Sequence, residues 1–309
     1  MSSLLALSVC ASVAGGGVSP LKQIEPQLDA LARAFEGRLG YFVLDLNSGQ
    51  HIGHREMERF PSASTIKTAV MVEAMHQVEE GKLKWTDKQA VPTDPSRREA
   101  SMWAYFLKDE TKLDLDGYVN LMITVSDNTA TIVTRDWLGG QNVNARMQTL
   151  GLPNTKILGN LPKELTELQR LRRMFGMGMT TPQEMVRLFK LIHLRRAASP
   201  AACDKMLRIL GHQYWDDFIG SSVPPEVKFC SKSGAITRSR SDVAIVYAAR
   251  PYILAIYTDS QKDRRWTEDN AGNLIIRKMS QIVYSRMGNE PYSMPAGSEK
   301  FAPTGSGVE

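Results

Sequence analysis

Ser64-Thr65-Ile66-Lys67 sets a hydroxyl and an amine at positions i and i+3. On a helix such side chains lie one above the other on the same face, within reach of each other. A serine hydroxyl is a weak nucleophile until something takes its proton, and a lysine amine that is desolvated or crowded by other cations can lose its own proton and do so. With Ser64 near the start of the helix, backbone N–H groups and the positive end of the dipole are also at hand for an oxyanion. The pair alone carries little weight, because Ser-x-x-Lys turns up about once by chance in a chain of this length. Two rarer triplets accompany it: Ser126-Asp127-Asn128, between two helical segments, and Lys232-Ser233-Gly234, at the end of a strand-like run. Taken singly, Ser126, Asp127 or Asn128 could be only a helix N-cap, and Lys232-Ser233-Gly234 only a strand end and turn. The three together, in this order, make a site.

As a set they resemble the active-site signature of the serine beta-lactamases and penicillin-binding proteins, class A beta-lactamases in particular. The resemblance runs from about residue 25 to 288 and includes Arg59-Phe60-Pro61, Leu121 to Val125, Leu138-Gly139-Gly140 and Thr180-Thr181-Pro182. It implies a serine hydrolase that opens beta-lactam amides through an acyl-enzyme on Ser64. Lys67 would help to deprotonate Ser64, and Ser126 would pass a proton to the leaving nitrogen, with Lys232 close by keeping the electrostatics favourable. The backbone N–H groups of Ser64 and Ala235 would form the oxyanion hole. Asn128, Ser233 and Gly234 would line the substrate site, and Arg240 would join Ser233 in gripping a carboxylate. Trp103 and Tyr105 could supply an aromatic edge, or could simply be packing.

One departure from the family pattern bears on turnover. Class A enzymes carry, just before the Thr-Thr-Pro segment, a Glu-x-x-Leu-Asn pattern whose glutamate activates the deacylating water. Aligned without a gap, Leu165 takes that glutamate's place, and Lys163 and Gly178 fall where an Arg–Asp pair usually pins the loop. A leucine cannot be a base, so the expectation is a loop of different shape and slow deacylation. Glu164 and Glu167 flank the position: either could turn inward as the base, and the plain alternative is that both are exposed helix charges. The competing function is a D,D-peptidase, an esterase or a penicillin-binding sensor that releases its acyl group slowly.

Around these residues the scaffold is patterned: Ile24, Leu28, Leu31, Ala32 and Phe35 suit an amphipathic helix ended by Gly37. Arg38 to Leu46 and Gln50 to His54 read as strands joined at Asn47-Ser48-Gly49. A helix from Ser64 to about Glu80 is apolar almost all round, hence central and buried. Residues 86 to 210 read as helical, over Leu115 to Thr124, Asn128 to Leu138, Val143 to Leu150 and Pro182 to Leu194, with no convincing strand pair. Lys228 to Ser231, Asp242 to Ala249 and Tyr252 to Thr258 are strand-like, followed by a helix from Gly272 to Met287. The fold expected is α/β: an antiparallel sheet with flanking helices from residues 22–62 and 213–288, and an all-helical lobe, 63–212, inserted between them.

The 309 residues, 42% of them hydrophobic, suffice for a substantial core. The net charge of +5 comes from 38 basic residues scattered among 33 acidic ones, which argues for solvated surface over nucleic-acid binding. Arg170, Arg172 and Arg173 could attract an anionic substrate, though a charge run is usually a solvated face. Leu4 to Ala14 resembles a short secretory signal, residues 1–14, and is too short to span a bilayer. Export to the periplasm or medium follows as an expectation, with residues 289–309 as a loose tail. Cys203 and Cys230 read as buried small hydrophobes. His51 and His54 lack a third ligand at recognisable spacing, so neither a metal nor any cofactor is expected. The partner is a small beta-lactam or a peptidoglycan-like peptide, met by a monomer.

Overall fold

The computed structural model describes residues 20–92, 111–159 and 164–288. The signal-like segment, Trp103, Tyr105, Lys163 and the tail from residue 289 lie outside the described residues.

In chain order the elements are α1 (Pro20–Ala34), β1 (Arg38–Asp45), β2 (His51–His54) and β3 (Phe60–Pro61). A 3-10 turn over Ala63–Ile66 then leads into α2 (Lys67–Glu79), followed by β4 (Lys88–Ala90), β5 (Lys112–Asp114), α3 (Leu115–Thr124), α4 (Asn128–Leu138) and α5 (Gly140–Thr149). Next come β6 (Lys156–Ile157), α6 (Thr166–Phe175), β7 (Gly178–Thr180), α7 (Pro182–His193) and α8 (Pro200–Leu210). The chain closes with β8 (Phe229–Ile236), β9 (Ser239–Val246), β10 (Tyr252–Asp259) and α9 (Ala271–Met287).

The main sheet has the order β2-β1-β10-β9-β8, with β1 antiparallel to β10 and the hairpins antiparallel throughout. It is the expected sheet of N- and C-terminal segments. Both faces are covered, and period-two alternation sorts the side chains. Tyr41, Val43, Leu254 and Ile256 pack with Leu21, Leu28, Ile276 and Val283 of α1 and α9. Phe42, Leu44, Ile253 and Ala255 point the other way, into a core shared with α2, α3, α4, α5, α7 and α8. From the helical middle, α7 lies directly on β1 and β10. Short strands do interrupt that middle, contrary to expectation, as the β4–β5 pair and a small β3-β7-β6 sheet. Pairs of two or three residues are too brief to show alternation in a sequence.

Ten of the thirteen residues of α2 are buried, among them Val70, Met71, Val72 and Met75. Each such side chain contributes roughly 1.5–3 kcal/mol, so the helix that starts at Lys67 is the molecule's central post. Cys203 and Cys230 are free thiols in the same core. Among the described residues no helix is long and apolar enough to cross a membrane.

Candidate active site

Ser64 sits in the 3-10 turn and Lys67 opens α2, so the two are joined by one tight turn. Ala63 before them has φ 43°, a left-handed conformation that turns the chain sharply out of β3. The turn is tied from three sides. Thr65 Oγ1 donates to Ser62 O at 2.7 Å and accepts from the Tyr257 hydroxyl at 2.8 Å. Ser62 N donates to Gly178 O at 2.9 Å. Gly178 must be a glycine here, because a Cβ would lie 2.7 Å from Ser62 Oγ and 2.9 Å from Ile66 Cγ1.

The second wall is the reversal between α3 and α4. Ser126 takes φ 59°, a strained conformation for a serine, and Asp127 caps α4 by accepting from Ala130 N at 2.7 Å. Asp127 is thus the N-cap of the triplet, which frees its two neighbours. Both reach Lys67. The buried ammonium nitrogen donates to Ser126 O at 2.6 Å, to Ser126 Oγ at 3.1 Å and to Asn128 Oδ1 at 2.8 Å.

The third wall is β8, an outer strand of the main sheet that lies against the nucleophile turn. Gly234 makes that approach possible: a Cβ there would sit 2.8 Å from Ser64 N. Lys232 is fully buried and donates to Ser233 O at 3.0 Å and Gln213 Oε1 at 3.4 Å. Burial holds its ammonium well below the ordinary lysine range, to about 7, while Asp242 on β9 pulls it upward. Burial in turn pushes the Asp242 carboxyl above the usual carboxylate range. Ala235 follows on the same strand, half-buried.

Arg240 does not belong to this constellation, and its expected role is corrected here. It pairs with Ala235 across the β8–β9 hairpin, and its side chain is bound elsewhere. Its guanidinium, 2% exposed, donates to Asn273 Oδ1, Ile236 O, Ser239 O and Arg265 O and stacks 4.6 Å over the Trp266 ring. It pins the start of α9 to the sheet.

Nor does either flanking carboxylate turn inward. Glu164 is exposed. Glu167, on the outer face of α6, is bound by Arg170 at 2.9 Å, and that contact lowers its pKa, which makes it a poorer base. Leu165 is the half-buried N-cap position of α6 and offers no side-chain cap. The helix is held by Leu168, Leu171 and Phe175 against Leu158 and Met179, and Gly176 at φ 75° ends it.

Sequence reasoning missed the segment Gln213–Trp215. Gln213 Nε2 donates to Ile123 O at 2.7 Å, Tyr214 N to Thr124 O at 2.9 Å and Trp215 Nε1 to Val125 O at 2.9 Å, all just ahead of Ser126. No motif marks it.

Residues 23–287 match a family described as the beta-lactamase enzyme family. The chain is 27% identical to beta-lactamase AER-1 of Aeromonas hydrophila over 74% of its own length and 75% of the relative's. It is 26% identical to beta-lactamase PSE-4 of Pseudomonas aeruginosa, covering 83% and 89%. Among solved structures, a beta-lactamase from Sphaerobacter thermophilus superimposes with a TM-score of 0.75 at 25% identity, over 87% of this chain and 99% of that one. PBP-A superimposes with a TM-score of 0.73 at 26% identity, over 86% and 96%. A leucine-to-glutamate mutant of PBP-A, in an acyl-enzyme complex with penicillin G, matches equally well.

Proposed function

The chain belongs to the beta-lactamase enzyme family, and from that premise we propose that it opens beta-lactam amides by acylation of Ser64, followed by slow hydrolysis of the acyl-enzyme. The observation that carries this reading is the convergence on one ammonium: Lys67 Nζ lies within hydrogen-bond reach of Ser126 and Asn128 while one turn away from Ser64.

With its nitrogen neutral, Lys67 takes the Ser64 hydroxyl proton as Oγ bonds to the lactam carbonyl carbon. The backbone N–H groups of Ser64 and Ala235 stabilise the resulting oxyanion. As the C–N bond breaks, Ser126 gives its hydroxyl proton to the ring nitrogen and recovers one from Lys67, which returns to the neutral form. Lys232 keeps positive potential beside Ser126, and Asn128 and Ser233 offer polar groups to the substrate amide and carboxylate.

Release of the acyl group is the slow half. Leu165 supports this, and so do the outward-facing Glu164 and Glu167, since none of the three is a buried base near the nucleophile turn. The same observation favours a second reading, a penicillin-binding peptidase or sensor of this fold. PBP-A, whose leucine-to-glutamate mutant was trapped as an acyl-enzyme, is a parallel. Either activity belongs outside the cytoplasm, where the signal-like N-terminus would send the chain.

Intact-mass spectrometry after mixing with benzylpenicillin tests the reading. The expected result is an adduct of one penicillin that decays with release of the opened acid, and that is absent in Ser64→Ala. An adduct that persists in Ser64→Ala would exclude the mechanism, and a wild-type adduct that never decays would assign the chain to the second reading.

A further inference from the structure

The segment Gln213–Trp215 ties together two walls of the site that no covalent chain joins directly. Its three donors take the carbonyls of Ile123, Thr124 and Val125. These lie at the C-terminal end of α3, where carbonyls lose their intrahelical partners and must be met from elsewhere. Acceptors on the same segment face β8: Lys232 Nζ donates to Gln213 Oε1 and Ser233 Oγ to Trp215 O, each at 3.4 Å.

Gln213 is the chemically selective member. The Ile123 carbonyl can only accept and the Lys232 ammonium can only donate, so the group between them must donate on one side and accept on the other. A carboxamide does both, and the two contacts fix which end points where. An ionised glutamate could not donate to Ile123, and a leucine could serve neither partner.

We propose that Gln213 is a positioning residue for acyl transfer: its carboxamide holds the Lys232 ammonium in register with the Ser126 turn. The left-handed Ser126 needs such support, because a strained serine persists only where its surroundings over-determine it. The charged groups acting on Lys232 are few. Asp242 of β9, on the opposite face of the sheet, acts on it electrostatically, and Asp217, paired with Arg277 at 3.1 Å, acts in turn on Asp242. The Gln213 carbonyl dipole favours the charged lysine without adding a charge. The proposal rests on the acyl-transfer reading of Ser126 and Lys232, so its test carries a readout independent of activity.

Gln213→Leu and the isosteric Gln213→Glu, made in the full chain, are compared with wild type by a carbon NMR titration of Lys232, assigned through Lys232→Arg. Acylation by benzylpenicillin is followed against pH in parallel. In Gln213→Leu the lysine titrates at lower pH, the alkaline limb of the acylation profile moves with it, and acylation slows by roughly tenfold. In Gln213→Glu both move to higher pH. If both folded variants keep the wild-type lysine titration and acylation profile, the proposal is wrong. If wild type is never acylated, the proposed function fails, while the lysine titrations still decide whether Gln213 holds Lys232. Should Gln213→Leu fail to fold, the glutamate variant carries the test alone.

Discussion

Two regions of this molecule stand side by side and are built on different terms. The nucleophile turn, the Ser126 reversal and β8 are buried and interlocked: Lys67 and Lys232 are fully enclosed, and each is met by named acceptors. The stretch from Glu164 to Phe175 turns its charges to solvent and attaches through a small apolar patch on α6. Taking two ammonium groups out of water is expensive and is sustained only where geometry repays it. The molecule has paid that cost for forming an acyl bond. Among the described residues nothing comparable stands where a deacylating base would be.

The largest expected effect comes from supplying what the second region lacks. Leu165→Glu should accelerate decay of the penicillin adduct by about 10² or more, as a positioned general base contributes, with acylation little changed. Quenched-flow mass spectrometry reads both rates. Unchanged decay would mean that Leu165 does not face the acyl group and that the gapless register is wrong.

An intermediate effect should appear where the two regions touch. Gly178 precedes Thr180-Thr181-Pro182 and presses on Ser62 and Ile66. Gly178→Ala should destabilise the fold by about 1–3 kcal/mol through overpacking and slow acylation as well, since the nucleophile turn must shift. Gly176→Ala is the control: its φ of 75° makes an alanine strained, but a Cβ there meets open space. Thermal melts should fall for both, acylation for Gly178→Ala alone. Equal acylation in the two variants would show that the regions are uncoupled.

How much of this could be read from the sequence depended on which physical signal each part leaves. α3 and α4 were legible to the residue, because amphipathic spacing and the Asp127 cap are local. The sheet's construction from both chain ends was legible in its strand periodicity. Arg240 took its expected role from the resemblance alone; in the structure β9 begins at Ser239, three residues before the expected start, and Arg240 lies inside it. With the two-residue turn Thr237-Arg238, the register sets Arg240 opposite Ala235, and what removes it from the site is its buried contacts with Asn273, Arg265 and Trp266. α8 does carry a start signal that went unused, Ser199 as the N-cap accepting from Ala202 N, with Pro200 at the first helical position. Gln213–Trp215 left no signal, since its three donors meet main-chain carbonyls, which every residue has, and its partners on β8 lie far along the chain.

The smallest expected effect is the sharpest check on the contrast. Glu167 is the only carboxylate on α6, and it lies two residues from Leu165, the position where a base is wanted. Its ion pair with Arg170 is solvent-exposed, with side-chain exposures of 64% and 56%, so screening leaves it little energetic weight. The Arg170 contact also holds its pKa below the ordinary glutamate value, so it is ionised at neutral pH yet weakly basic and aimed away. Glu167→Gln should therefore leave both acylation and decay of the adduct within about twofold of wild type. Decay slowed tenfold by this substitution would show that α6 rotates to bring Glu167 over the acyl group. The exposed face would then be the resting position of a working base.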